Sequence, residues 1–230
     1  MMLLLPSCES RRSLILSTLL LWNNNPSTPS NKKPITLEDW STFICDFTPR
    51  EVRAAVQTTG RFLYRGASSA SSAAPRIEID HPEPDLLLPE TYNDSNALAY
   101  FQCLEQTLTS KARPSTGHIG TSNANDAGLW GPVVSVWPLG DSFSYVWPQD
   151  RSTLFPGGNC GTETLVVDQG LTTALVQQDR EILFASDFSQ SPRIIPSGII
   201  SRQWKSAYIT IPRDQDEELH HLLQKKNYGL

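Results

Sequence analysis

No run of Lys and Arg longer than a pair occurs in the 230 residues, Lys32–Lys33 and Lys225–Lys226 being such pairs, and the formal net charge is -5. A phosphate backbone is bound by a basic face, so no nucleic-acid partner is expected. The four cysteines, Cys8, Cys45, Cys103 and Cys160, stand far apart, with neither C-x-x-C nor His/Cys ligand spacing. No metal is therefore expected, and buried free thiols are the expected state. The apolar run from Leu14 to Trp22 is shorter than the roughly 20 residues that cross a bilayer, so no membrane span is expected. Neither a Walker-type loop, nor G-x-G-x-x-G, nor G-x-S-x-G occurs, which removes three common nucleotide and nucleophile sites from consideration. Internal repeats and heptads are missing too.

What is there fits one soluble globular domain. The length suits a single domain with trimmings, and 39% apolar with 19% charged residues is ordinary composition. Residues 1–35 read as an extension or a secretory leader, with Arg11–Arg12 ahead of the apolar run. Location is expected to be cytoplasmic, or secreted if residues 1–30 are a leader. The main domain is expected over 36–212, with a C-terminal helix over 213–230.

Along the chain, Leu37, Trp40, Phe43 and Ile44 recur at helical spacing after Thr36 and ahead of Asp39, and Pro49-Arg50-Glu51 opens a second helix. A short strand ends at Arg65-Gly66. Residues 67–90, rich in Ser, Ala and Pro, read as an irregular connection. A helix follows over 95–109, a turn and strand over 113–122, and a short helix from Ala124 to Trp130 capped by Gly131. Strands are expected at 133–137, 143–147, 164–167, 181–185, 194–200 and 208–211. Gly140-Asp141 reads as a hairpin joining the first two of these. Helices are expected over 171–177 and 214–225. Helices early and strands late point to an α+β fold.

Three segments carry candidate chemistry. In Phe62-Leu63-Tyr64-Arg65-Gly66 an Arg at a strand end either grips a phosphate through two parallel hydrogen bonds or serves as a surface or salt-bridge residue, and Gly66 permits close backbone approach. In Gly117-His118-Ile119-Gly120-Thr121-Ser122-Asn123 small hydroxyl residues end a strand, where they either orient a carboxylate or ribose or cap the next helix. His118 is placed to contact a ligand or to serve as a hydrogen-bonded structural imidazole. In Asp179-Arg180-Glu181-Ile182-Leu183-Phe184 two carboxylates at i and i+2 share a strand face, or form a solvated charge cluster. Trp130, Trp137 and Trp147 offer a stacking surface or core packing. His220–His221, adjacent on a helix, face different directions and make a poor metal pair.

Taken in order, the three segments resemble the arginine–serine–glutamate class of mono-ADP-ribosyltransferases. That family has an aromatic-Arg-Gly strand end, a strand ending Ser-Thr-Ser, and a strand opening Glu-x-Glu. The resemblance spans about residues 36–212, with about 57 residues from Arg65 to Ser122 and about 59 from Ser122 to Glu181. It implies a fold of two packed, mainly antiparallel sheets with flanking helices, and NAD as substrate with no metal. It also implies a protein or other macromolecular acceptor. Arg65, with Gly66, Thr121, Ser122 and His118, would hold NAD. Ser122 would orient the carboxylate of Glu181. Glu181 would bind the ribose 2′-hydroxyl and stabilise positive charge as nicotinamide leaves, and Asp179 would position or deprotonate the acceptor. The sequence departs from the family at Gly120, where the first hydroxyl is missing, and at Asp179, which reaches about 1.5 Å less than Glu. These departures suit a catalytically inactive binding module of the same fold. Tyr64-Arg65-Gly66 and the helix around Trp40 also resemble the FRG family.

Overall fold

The computed structural model describes residues 35–67, 72–79, 95–108, 117–140, 143–149, 164–167, 170–177, 179–186 and 207–227. The described residues from Thr36 onward belong to one compact unit. The leader reading and the strand expected at 194–200 lie outside the described residues.

Helix α1 (Leu37–Phe47) starts where the sequence says it should. Thr36 Oγ1 accepts from the Asp39 amide at 3.2 Å and Asp39 Oδ2 accepts from the Thr36 amide at 2.8 Å, a reciprocal capping box. It stops at Thr48 because the residue before a proline is driven out of helical backbone. Pro49 then caps α2 (Arg50–Thr59), and Gly60, at φ +66°, ends it in the left-handed conformation. Trp40, Phe43, Ile44, Val52, Ala55 and Val56 are buried.

The remaining elements are β1 (Tyr64–Gly66), β2 (Arg76–Ile79), α3 (Ser95–Thr107), β3 (His118–Thr121), α4 (Ala124–Ala127), β4 (Val133–Pro138), β5 (Phe143–Pro148), β6 (Leu165–Val167), α5 (Gly170–Val176), β7 (Glu181–Ser186), β8 (Ala207–Pro212) and α6 (Asp216–Asn227). A 3-10 turn, Gly128–Trp130, follows α4, and another, Arg213–Gln215, precedes α6. The fold is mixed α+β, with one eight-stranded antiparallel sheet in the order β2-β8-β4-β1-β3-β7-β5-β6.

Three expectations are corrected here. Among the described residues the strands form one continuous sheet where two were expected, because β1 bonds to β4 along one edge and to β3 along the other and so joins the halves. The hairpin at Gly140-Asp141 does not form: β4 pairs with β8 and β1, and β5 with β7 and β6. Gly140, at φ +78°, donates its amide to Phe47 O at 2.8 Å, so the chain leaves β4 toward α1. The connection over 67–90 contains strand β2, whose Arg76-Ile77-Glu78-Ile79 pairs fully with β8.

One face of the sheet carries the helical layer. Tyr100, Phe101 and Leu104 of α3 pack on Val146 and Leu183, with Ile119, Leu165 and Val167 around them. Leu219 and Leu223 of α6 are buried, and α6 packs on α1 and α2, so the C-terminal helix is part of the same unit. Trp137 and Trp147 are core residues, while Trp130 is partly exposed. Cys103 is disulfide-bonded, which corrects the expectation of a free thiol at that position, and Cys45 is a free, half-buried thiol. Among the described residues no helix is long and apolar enough to cross a membrane.

Candidate functional site

The three motif segments fall on three adjacent strands, β1, β3 and β7. Tyr64 lies opposite Thr121, and Thr121 opposite Glu181, in one row at the sheet end. Directly opposed residues share a face, and neighbours along a strand alternate. Tyr64, Thr121 and Glu181 therefore point to the helical face, whereas Arg65, His118 and Gly120 point to the other. The structure brings Arg65 and His118 into contact and sets Thr121 beside Glu181, but the strand frame separates these two pairs. Ser122 follows the last residue of β3, and its amide donates to Arg180 O at 3.4 Å. Asp179 is exposed ahead of β7.

Arg65 sits in a polar cluster that its own motif does not contain. Its Nη2 donates to Glu78 Oε2 at 2.6 Å, and Tyr208 Oη donates to the same oxygen at 2.7 Å. Arg76 donates from Nε at 3.1 Å and Nη2 at 2.9 Å to Glu78 Oε1. Arg65 Nη1 lies 3.2 Å from His118 Nδ1, and Tyr208 Oη lies 3.3 Å from His118 Nε2. The guanidinium carbon stands 5.4 Å from the Tyr208 ring centroid, within cation–π range. Phe184 packs against both His118 and Tyr208. Burial by itself would push the Glu78 carboxyl up, but Arg65, the Tyr208 hydroxyl and Arg76 together outweigh it and hold it below its ordinary value. Among the described residues two guanidiniums flank the one carboxylate.

No family model matches the chain, and neither a curated protein nor a solved structure matches it. Function therefore has to be argued from the site itself.

Two buried polar atoms of the motif segments have no hydrogen-bond partner among the described residues: Arg65 Nε and Ser122 Oγ. Ser122 is only 9% exposed, so an unbonded hydroxyl there is costly. Thr121 Oγ1 instead accepts from the Asn123 amide at 3.0 Å, and Asn123 caps α4, so Thr121 is occupied by the local turn. A Cβ at Gly120 would meet Leu63 Cδ1 at 2.7 Å, so a serine there would require the Leu63 side chain to shift.

Gly66 is required by packing: a Cβ there would lie 2.6 Å from the carbonyl carbon of Trp130, in the 3-10 turn. Gly66→Ala is expected to cost about 2 kcal/mol through overpacking against rigid backbone, read as a lowered urea midpoint. Gly128→Ala, whose Cβ would meet Val133 Cγ2 at an ordinary 3.6 Å, is the control and is expected to be near neutral.

On the helical face beneath the same strands lies a second polar network. Ser135 Oγ donates to Asp216 Oδ1 at 2.7 Å, Trp137 Nε1 donates to Ser135 Oγ at 3.3 Å, and Tyr64 hydrogen-bonds Asp216. Burial raises Asp216 to about 7 against the opposing hydrogen bonds from Ser135 and Tyr64 and the charge of Arg213. Burial, the Asp216 charge and their hydrogen bond push Tyr64 up as well. His220 packs edge-on against Phe62, and among the described residues no group of three or more His, Cys, Asp and Glu could hold a metal.

Sequence reasoning missed Glu78, Arg76, Tyr208 and Asp216. The charged-apolar alternation of Arg76-Ile77-Glu78-Ile79 is a strand signal, masked by the Ser/Ala/Pro-rich stretch around it. Asp216, beside Glu217 and Glu218, reads as a solvated first turn.

Proposed function

We propose that the protein is an NAD-dependent mono-ADP-ribosyltransferase, with an ADP-ribosyltransferase-like fold, that modifies a protein or other macromolecule. The observation that carries this reading is the convergence of the Arg65, Thr121–Ser122 and Glu181 segments at neighbouring strands, with Thr121 facing Glu181 in register. In this reading the polar cluster around Arg65 binds the pyrophosphate of NAD and Ser122 Oγ meets a ligand oxygen. The C1′–N bond then breaks, nicotinamide leaves with the electron pair, and an acceptor nucleophile attacks C1′ and gives up its proton. Glu181 stabilises the positive charge that develops on the ribose, where a fixed anion helps the transition state more than the ground state.

A second reading, a non-catalytic binding or interaction module, is favoured by one specific observation. The register turns Glu181 to the face opposite Arg65 and places Arg180 across from Ser122. Arg180 is itself engaged, donating from Nη1 to Pro148 O at 2.6 Å and Gln149 O at 3.1 Å. Nicotinamide release by wild type and by Glu181→Ala separates the two readings.

A further inference from the structure

The hydrogen bonds around Arg65 close into a ring, and chemistry fixes its direction. A guanidinium only donates, so Nη1 donates and His118 Nδ1 accepts. The imidazole proton is then on Nε2, which donates to Tyr208 Oη, and Tyr208 in turn donates to Glu78 Oε2. Arg65 Nη2 donates to that same oxygen and completes the circuit. The other oxygen of Glu78 takes two donors from Arg76. The Arg65 and Glu78 side chains are 14% and 12% exposed, and that of Arg76 is 35% exposed.

We propose that Glu78, from a strand outside all three motif segments, is the positioning residue of an anion site, holding Arg65 and Arg76 together so that two guanidiniums serve a pyrophosphate-class ligand. An arginine side chain carries large rotamer entropy. Anchoring it by Glu78, by His118 and over the Tyr208 ring means that this entropy is lost on folding and not on binding. Only two of the five N–H groups of Arg65 are engaged in the ring, and its buried Nε has no partner among the described residues. The lowered Glu78 carboxyl keeps the arrangement intact through the neutral range. The identity of the ligand as NAD rests on the proposed function; the anion site does not.

The test is calorimetry with two probes, inorganic pyrophosphate and NAD, on wild type, Glu78→Gln, Glu78→Asp and Arg76→Gln. Removing a carboxylate from an anion site strengthens anion binding if the carboxylate acts only through its charge. Positioning predicts the opposite: pyrophosphate affinity falls at least about 10-fold in Glu78→Gln, with partial recovery in Glu78→Asp. Arg76→Gln, made on a side chain at the rim, is expected to keep the fold and lose about 10-fold as well, so a Glu78 variant that fails to fold leaves the proposal testable. In parallel, nitrogen NMR of His118 is expected to show the proton on Nε2 in wild type and a changed tautomer balance in Glu78→Gln. Binding of pyrophosphate without NAD would remove NAD as the ligand and keep the anion site. Binding of neither by wild type, or tighter pyrophosphate binding by Glu78→Gln, would overturn the proposal.

Discussion

Nicotinamide release from NAD by the purified protein is expected to be slow, and Glu181→Ala is expected to lower it at least about 100-fold. That ratio corresponds to about 2.7 kcal/mol of lost transition-state stabilisation. It is the scale on which a single fixed charge at a developing cation acts. The strand frame makes this a demanding experiment. Glu181 follows Thr121 onto the helical face, while Arg65 and His118 occupy the other. A 100-fold loss would mean that the Glu181 carboxylate reaches the ribose from the sheet end, and the acceptor would be the remaining question. Equal release by wild type and variant would take Glu181 out of the chemistry. No release by wild type, alone or with lysate, together with NAD binding that survives Glu181→Ala, would establish the non-catalytic module. Binding without release by the protein alone, with nicotinamide released and a macromolecule labelled once lysate is added, would show a transferase that waits for its acceptor.

Between pH 4 and pH 7 the protein is expected to lose stability relative to Asp216→Asn, by on the order of 3 kcal/mol across the window. The sign follows from proton binding. Asp216 is raised from an ordinary 3.8 to about 7 in the folded state, so over this range the folded form binds more protons than the unfolded one, and unfolding free energy falls as pH rises. Above about pH 7 this contribution is constant. The asparagine does not titrate, and it keeps an oxygen to accept from Ser135 and Tyr64. Its amide stands where Asp216 Oδ2 is buried with no partner among the described residues. Urea unfolding of both proteins at each pH unit measures the difference. Glu78, lowered where Asp216 is raised, adds a loss of stability at more acid pH in both proteins and cancels in the comparison. A difference that stays flat from pH 4 to 7 would show that Asp216 ionises in the folded state as it does in water.

Local order was readable wherever one short stretch decides it. Thr36 and Asp39 specify the start of α1 and Pro49 the start of α2, because each acts on backbone within a few residues. The strands at 133–138, 143–148, 181–186 and 207–212 were legible from dense β-branched and aromatic residues. The pairing of those strands was not. A hairpin at Gly140 is reasonable locally, yet β4 and β5 end on different parts of the sheet, because the partner of a strand is chosen by which apolar faces can be buried together.

The sequence by itself determined the α+β class, the starts of α1 and α2, and the order of the Arg65, Thr121–Ser122 and Glu181 segments. It also singled out Arg65 as a residue whose chemistry suits a phosphate, since that property belongs to the residue and its near neighbours. Tertiary structure alone decided which faces the side chains occupy. One residue of register sets Glu181 against Thr121 and away from Arg65, and nothing in a linear chain records that choice. It alone brought Glu78 and Arg76 from β2, and Tyr208 from β8, to Arg65, across as many as about 140 residues. Contacts at that separation are fixed by the packing of the whole sheet, and no local sequence pattern carries them.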